Sequence, residues 1–271
     1  MSDVIVECIG VNTHFGSHHV LKNINLTVRP GETVGLVGES GSGKTTLGRA
    51  ILGIGPISSG RILFEGQDIG GVAPRDRKGK AASIQAVFQD PYTSLNPSMT
   101  IEDILVEPIV ARGQASRADA TAQVRILLDS VALPSDAAYR YPREFSGGQR
   151  QRVAIARALA LSPHLIVCDE PVSALDLSTQ ARVLDLFVEI QERTGVAYLF
   201  VSHDLAVVRH ISHRVAVMRG GEIVEFGDCD QVTANPQHDY TRRLLLAAPV
   251  ADPIRQADRR AAFRALTVGA A

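Results

Sequence analysis

Short apolar segments alternate with longer amphipathic ones along this 271-residue chain. Apolar segments bounded by turn residues are typical of buried strands, and they predict strands at residues 33–37, 84–88, 165–168 and 196–201. Apolar residues at helical spacing predict helices at residues 47–52, 101–133, 149–161 and 179–193. Strands that alternate with helices favour an α/β fold in which helices cover both faces of a parallel sheet.

Other segments add to this alternation or interrupt it. Further strands are predicted at residues 4–11, 24–29, 61–64, 215–218 and 222–224. The last two are separated by Arg219-Gly220-Gly221, which is typical of a hairpin turn. Residues 70–80 are rich in glycine and basic residues, so we expect an exposed loop there. The helical block at about 90–160 interrupts the alternation and predicts an inserted helical subdomain.

The composition is ordinary for a soluble globular protein, with 45% hydrophobic and 21% charged residues. A net charge of −1 gives no indication of a nucleic-acid partner. We interpret five arginines as a solvated face and not a nucleic-acid stripe, namely Arg75, Arg77, Arg112, Arg117 and Arg125.

Three widely spaced cysteines predict neither a disulfide framework nor a zinc site. The N-terminus lacks the basic start of a signal peptide, and no apolar segment approaches the ~20 residues of a membrane helix. We therefore expect a soluble, cytoplasmic chain that reaches a membrane only through a partner.

Residues 38–46 satisfy the phosphate-loop pattern G-x-x-x-x-G-K-[ST], between a predicted strand and a predicted helix. Glycines allow successive backbone N–H groups to surround a polyphosphate, and the helix N-terminus adds the positive end of its dipole. Lys44 is expected to reach the β- and γ-phosphates of ATP, and the Thr45 hydroxyl to ligate Mg²⁺. The residues expected to bind the nucleotide here are Gly38, Ser40, Gly41, Ser42, Gly43, Lys44, Thr45 and Thr46.

Two acidic residues follow the predicted strand at 165–168. Asp169 at such a position can hold Mg²⁺ through water, and Glu170 is placed to orient or deprotonate an attacking water. The alternative is a strand that simply ends in solvated carboxylates. The phosphate loop earlier in the chain favours the first interpretation.

A serine and two glycines start the helix predicted near residue 149. The N-terminus of a helix that begins in this way can bind an anion. The chain would then have two anion-binding helix N-termini, because the phosphate loop already provides one. We infer that two copies share nucleotides, and that Ser146, Gly147 and Gly148 of each copy face the nucleotide of the other.

Ser146-Gly147-Gly148-Gln149 resembles the signature of the ATP-binding cassette (ABC) ATPases, with Phe145 where leucine is commonest. The order of the other motifs agrees with that family. After the phosphate loop and Gln89 come the signature, Asp169-Glu170, the segment Ser173-Ala174-Leu175-Asp176, and His203.

The resemblance covers about residues 4–250 and implies a fold. We expect a P-loop NTPase core of the RecA-like type with a mainly parallel sheet, an N-terminal antiparallel β subdomain and an inserted helical subdomain. Residues 1–250 would form this ATPase domain, with the helical subdomain at about 90–160. Residues 251–271 would form a flexible C-terminal tail.

The resemblance also implies roles for individual residues. Phe15 is similar to the aromatic residue that stacks on adenine, with an ordinary core phenylalanine as the alternative. Gln89 resembles the Q-loop glutamine, which contacts Mg²⁺ and water and senses the membrane partner. Asp176 resembles the D-loop aspartate, which communicates across the dimer. His203 resembles the switch histidine that contacts the γ-phosphate, and Glu170 matches the catalytic base.

Three segments resemble the dipeptide, oligopeptide and nickel import branch of this family, at residues 87–97, 141–145 and 235–241. His14, His18 and His19 are interpreted as part of a polar loop and not as nickel ligands, because adjacent histidines on a strand cannot easily share one metal.

The leading hypothesis is therefore the ATP-hydrolysing, energy-coupling subunit of a peptide/nickel-type ABC importer. Its expected partners are a second copy or a sister ATPase, two integral-membrane permease subunits and, indirectly, an extracytoplasmic solute-binding protein. Its expected location is the cytoplasmic face of the inner or plasma membrane. The main alternative is a soluble ABC ATPase of DNA repair or translation, although the sequence predicts none of the long coiled coils or zinc inserts typical of those proteins. A third possibility is a degenerate cassette that only binds its nucleotide. The presence of Lys44, Glu170 and His203 argues against it.

Overall fold

The computed structural model describes residues 3–72, 76–77, 80, 82–90, 94–113 and 115–247. The strands are β1 (Val6–Phe15), β2 (His18–Val28), β3 (Thr33–Val37), β4 (Ser59–Phe64), β5 (Gln67–Asp68), β6 (Ile84–Phe88), β7 (Leu165–Asp169), β8 (Ala197–Val201), β9 (Arg214–Arg219) and β10 (Glu222–Asp228). The helices are α1 (Lys44–Leu52), α2 (Ile101–Ala111), α3 (Arg117–Ser130), α4 (Gly147–Leu159), α5 (Leu177–Thr194), α6 (Leu205–Ile211), α7 (Cys229–Ala234) and α8 (Asp239–Ala247). Short 3₁₀ helices at Ser135–Tyr139 and Pro142–Glu144 connect α3 to α4.

The strands form two sheets. Four of them make an antiparallel sheet in the order β2-β1-β4-β5. The other six follow the order β10-β9-β3-β8-β7-β6, in which only the β9–β10 hairpin is antiparallel. The expected α/β fold, with a mainly parallel sheet and an N-terminal antiparallel sheet, is confirmed.

The six-stranded sheet separates two apolar layers, and β8 contributes to both. Tyr198 and Phe200 pack in the layer that also contains the buried residues of α2, α3, α4 and α5. Leu199 and Val201 face the other layer, which contains α1 and the inner side of the antiparallel sheet. This alternation is the two-residue period of a strand. Phe187 of α5 meets the rings of Tyr198 and Phe200 edge-on, with centroids 5.4 and 5.6 Å away.

The predicted bounds agree to within one residue for the four strands expected at 33–37, 84–88, 165–168 and 196–201. The strands expected at 33–37 and 84–88 have those bounds, and the predicted hairpin is present. The first two strands are longer than expected and pair with each other. His14, His18 and His19 therefore lie in strands, and the predicted polar loop is wrong.

Two helical predictions need correction. The helix expected at 101–133 is two helices, because the chain turns at Gly113, whose φ is +70°, and Ser116 caps a new helix. The helices α6, α7 and α8 were not predicted; α6 and α7 have only seven and six residues. Residues 248–271 lie outside the described residues, so the tail and the domain boundaries remain predictions.

The position of Arg77 shows that two predictions are wrong for this residue. It is neither part of an exposed loop at 70–80 nor part of a solvated arginine face. Its side chain is buried, and its guanidinium donates to the carbonyl oxygens of Val72 (2.9 Å), Ile51 (2.8 Å) and Ile69 (2.7 Å). Burial lowers the pKa of Arg77. Arg75 lies outside the described residues, whereas the other three arginines of the predicted face are exposed.

Within the described part of the chain, no helix combines the length and apolar character required to cross a membrane.

Replacing Arg77 by methionine should destabilise the fold, because three backbone carbonyls would lose their buried donor. We expect the free energy of unfolding to fall by about 2–4 kcal/mol, measured by urea unfolding followed by circular dichroism. Arg125→Met is the matched control, since Arg125 is exposed on α3. Equal small losses in both variants would contradict a structural role for Arg77.

Candidate functional site

The candidate site lies at the edge of the sheet where the parallel strands end. Four residues lie side by side across the adjacent strands β3, β8, β7 and β6. Leu36 pairs with Val201, Val201 with Asp169, and Asp169 with Phe88. Because parallel strands present their carboxyl ends at one edge, the segments that follow this row are brought together. The candidate residues in those segments are Gln89, Glu170 and His203, beside the phosphate loop after β3.

Lys44 is buried within the phosphate loop, at the first position of α1. Its ammonium donates to the carbonyl oxygens of Gly38 (2.7 Å) and Glu39 (2.8 Å). Burial lowers the pKa of Lys44, and the carboxylates of Glu170 and Asp169 oppose that shift. The loop therefore holds a cation through its own carbonyl groups, which an incoming phosphate can replace.

Two glycines of the phosphate-loop pattern lie against neighbouring strands. Gly38 has a φ of +153°, and a Cβ there would lie 2.2 Å from the carbonyl oxygen of Met218. Gly43 has a φ of +105°, and its Cβ would lie 2.9 Å from a methyl group of Leu21. Neither position accepts a side chain without displacement. Packing thus requires glycine at these two positions, independently of any role in phosphate binding.

Thr45 and Asp169 join the phosphate loop to the end of β7. The Thr45 hydroxyl donates to Asp169 Oδ1 over 3.0 Å. Burial raises the pKa of Asp169, and the hydrogen bond from Thr45 opposes that shift. A hydroxyl and a carboxylate oxygen at this distance are hard oxygen donors of the type that Mg²⁺ prefers.

Glu170 and His203 form a second polar pair, with 3.0 Å between Glu170 Oε2 and His203 Nδ1. The backbone of Glu170 has a φ of +50°, which is uncommon for a residue other than glycine. It is held there because its N–H donates to the Val201 carbonyl and its own carbonyl accepts from the Ser173 N–H and hydroxyl. Non-glycine residues in such conformations cluster at functional sites.

Phe15 lies at the mouth of the phosphate loop and is 52% exposed, so it is not an ordinary core residue. It lines a cavity of about 370 Å³. The other lining residues are His18, Val20, Ser40, Gly41, Gly43, Lys44, Thr45, Thr46 and Glu170. The neighbouring rings of His14 and His19 stack with centroids 4.0 Å apart.

The signature residues begin α4 through reciprocal capping. Ser146 Oγ accepts from the Gln149 N–H, and Gln149 Oε1 accepts from the Ser146 N–H. Gly148 lies directly on α5, where an added Cβ would be 2.2 Å from Thr179 Cγ2. The side chain of Asp176 caps α5, and hydrogen bonds from Thr179 and Ser178 hold the pKa of its carboxyl well below its usual range.

The described chain does not bring the signature to its own phosphate loop. Ser146, Gly148 and Gln149 line another cavity, of about 370 Å³, together with Thr179 and residues near the end of α3. Among the residues that the structure describes, none lines both this cavity and the one at the phosphate loop. The residues predicted to bind the nucleotide are therefore divided between two cavities, with the phosphate loop in one and the signature in the other.

Gln89 is exposed directly after β6. Residues 91–93 of the segment that follows it lie outside the described residues.

Two contacts at the site were not predicted from the sequence. Thr179 lies against Gly148, and the Tyr240 hydroxyl accepts from the Glu39 N–H over 3.0 Å. The segment at 235–241 resembles the peptide and nickel import branch, and nothing in its sequence indicates a contact with the phosphate loop.

Comparison with known proteins agrees with these motifs. A family model described as ABC transporter matches residues 21–173. The glutathione import ATP-binding proteins GsiA of Escherichia coli and Shigella boydii are each 51% identical to this chain over 242 residues, which is 89% of this chain and 39% of each relative. The chain thus spans about two fifths of the length of the curated relatives it matches.

Solved structures share the fold. CbiO1 from Clostridium perfringens, part of the ABC transporter complex cbiONQ, has a TM-score of 0.78 and 29% identity, covering 90% of this chain and 96% of its own. The dimeric, post-hydrolysis structure of the ATP-binding cassette MJ0796 with ADP and Pi has a TM-score of 0.71 and 29% identity, covering 83% of this chain and 98% of its own. From its motifs, its fold and these similarities, the chain belongs to the ABC transporter family.

Proposed function

We propose that this domain powers solute import, as the energy-coupling ATPase of a peptide/nickel-type ABC importer. The observation that carries the proposal is the Glu170–His203 pair, 3.0 Å apart, which lies at the same sheet edge as Lys44 in the phosphate loop. A binding-only domain does not need a general base with a polar partner beside the phosphates. The 51% identity to ATPases named for glutathione import supports the direction of transport.

Each residue of the proposed site has a distinct role in ATP hydrolysis. Phosphoryl transfer requires positioning and charge neutralisation more than covalent catalysis. Lys44 neutralises charge on the β- and γ-phosphates, Glu170 orients or deprotonates the attacking water, and His203 contacts the γ-phosphate. Phe15, at the mouth of the cavity, stacks on adenine.

Mg²⁺ fits the oxygen donors between the phosphate loop and the end of β7. Thr45 Oγ1 and Asp169 Oδ1 lie 3.0 Å apart, and Gln89 follows the strand adjacent to β7. Within the described residues, no group of three or more His, Cys, Asp or Glu side chains could hold a metal, so these donors would share the ion with water and nucleotide phosphates. When bound, Mg²⁺ neutralises the charge that develops on the β- and γ-phosphate oxygens.

Hydrolysis requires two ATPase domains. The signature and the phosphate loop line different cavities, so we propose that Ser146 and Gly148 of one copy close the site of a second copy or a sister ATPase, with Asp176 near the shared boundary. ATP then holds the pair closed and its hydrolysis releases it. Such a two-state clamp can drive a partner.

The proposed partners are two membrane permeases, which would dock in a groove near Gln89, and a solute-binding protein that acts through them. The domain would then sit at the cytoplasmic face of the membrane as a peripheral subunit. The names of its relatives make a small peptide such as glutathione the first solute to test. A role in DNA repair or translation is disfavoured, because these relatives are import proteins.

Glu170→Gln should reduce ATP turnover by at least about 100-fold, because the amide keeps the size of the side chain but cannot accept a proton. The variant should still bind ATP and should remain dimeric longer than the wild type, measured by phosphate release and by size-exclusion chromatography with ATP. Glu192→Gln, at an exposed position of α5, is the control. Normal turnover in the Glu170 variant would show that the base is another group.

Mg-ATP at about 100 times its dissociation constant should stabilise the folded chain by about 2.7 kcal/mol, measured as an increase in the thermal unfolding midpoint. AMP should stabilise far less at the same concentration, since it lacks the β- and γ-phosphates that Lys44 is proposed to hold. An equal shift with AMP would argue that the phosphate loop does not carry the binding.

Affinity purification of the tagged chain from gently solubilised native membranes should recover two multi-span permeases, with or without a sister ATPase. Mass spectrometry of the purified material identifies them, and cells with an untagged chain provide the background. DNA- or ribosome-associated partners without a permease would refute import while leaving the ATPase assignment intact.

A further inference from the structure

Tyr240 connects the last described helix to the phosphate loop. It is the second residue of α8, is only 3% exposed, and its hydroxyl accepts a hydrogen bond from the Glu39 N–H over 3.0 Å. Its ring packs in the apolar cluster formed by α6, α7 and β9, and the Arg219 guanidinium lies 5.2 Å from the ring centroid. Burial raises the pKa of Tyr240, so the hydroxyl stays protonated at neutral pH.

The hydrogen bond from Glu39 acts on the same peptide unit that Lys44 holds. The carbonyl of Gly38 accepts from Lys44 Nζ over 2.7 Å, and the N–H of Glu39 belongs to the same planar group. One side of this peptide is therefore fixed by Lys44 and the other by Tyr240. When Lys44 turns to the phosphates of a nucleotide, the contact with Tyr240 is the one that remains.

The segment before Tyr240 is built to place its hydroxyl. Glu225 of β10 accepts from the N–H groups of Gln237 (2.7 Å) and His238 (3.1 Å). His238 Nδ1 in turn accepts from the Tyr240 N–H over 3.1 Å. The guanidinium of Arg242 donates to the carbonyls of Pro236 and Gln237, both over 3.1 Å. These contacts fix the start of α8 relative to the sheet.

We propose that Tyr240 is a positioning residue for nucleotide binding, which holds the Gly38–Glu39 peptide in the orientation that the phosphate loop needs. The segment at 235–241 thereby acquires a physical role beyond its resemblance to one branch of the family. The proposal rests on the nucleotide site described above. Since the hydroxyl acts on the loop and not on the attacking water, its loss changes the affinity for nucleotide and leaves the chemical step intact.

Tyr240→Phe is the test, because it keeps the ring and its packing and removes only the hydroxyl. In the full chain, the dissociation constant for Mg-ADP, measured by isothermal titration calorimetry, should rise about three- to tenfold, the value of one neutral hydrogen bond. The KM for ATP should rise similarly, while kcat at saturating ATP stays within about twofold of the wild type. Hydrogen exchange of the Glu39 amide, measured by NMR, should become faster.

Tyr139→Phe is the matched control, since Tyr139 is 76% exposed and lies in a 3₁₀ helix before α4; it should change none of these quantities. An unchanged ADP affinity in Tyr240→Phe, or a lower kcat with unchanged affinity, would overturn the proposal. Slow exchange of Glu39 in the variant would do the same. A wild-type chain that binds no ADP would instead refute the nucleotide site itself, so the two failures are distinguishable.

Discussion

The register of the parallel strands is the constraint on which the site depends. A slip of one residue would turn the side chains of a strand to the opposite face of the sheet and would separate Glu170 from His203. Packing prevents that slip, because alternate residues of β8 belong to two different apolar layers. Phe187 meets Tyr198 and Phe200 on one side. The geometry of the polar edge, where Glu170 and His203 meet, is therefore set by apolar contacts inside the sheet.

Several polar residues of the site already have partners within the chain. Lys44 is held by two carbonyls, Thr45 donates to Asp169, and Glu170 is held in an unusual backbone conformation by Val201 and Ser173. Buried polar groups without partners are costly, so these contacts keep the site ordered. The proposed nucleotide would then exchange one set of partners for another and would not have to build the site.

The fold and most of the site could be predicted because their signals are local. Residues 33–37 are all buried, so their strand was recognised with its correct bounds. The ends of β1 and β2 are half exposed and polar, which weakens the strand signal, and the strands were predicted too short. The phosphate loop and Glu170 follow apolar strands, a context that the sequence alone displays.

What could not be predicted depends on long-range contacts. Arg77 resembles a surface residue in a basic segment, but one of its acceptors, the Ile51 carbonyl in α1, is 26 residues away along the chain. The contact between Tyr240 and Glu39 joins positions 201 residues apart. Neither partner has a local sequence pattern that indicates the other. The roles proposed for Phe15, Gln89 and the signature still come from the resemblance, because the partner and nucleotide they would touch are separate molecules.

The separation of the two cavities has a genetic consequence. In the proposed pair, every complete site takes its phosphate loop from one copy and its signature from the other. A copy damaged in the loop and a copy damaged in the signature would together assemble one wholly defective site and one wholly intact site. Two inactive alleles could then complement each other within a mixed pair, whereas either allele alone would leave no intact site.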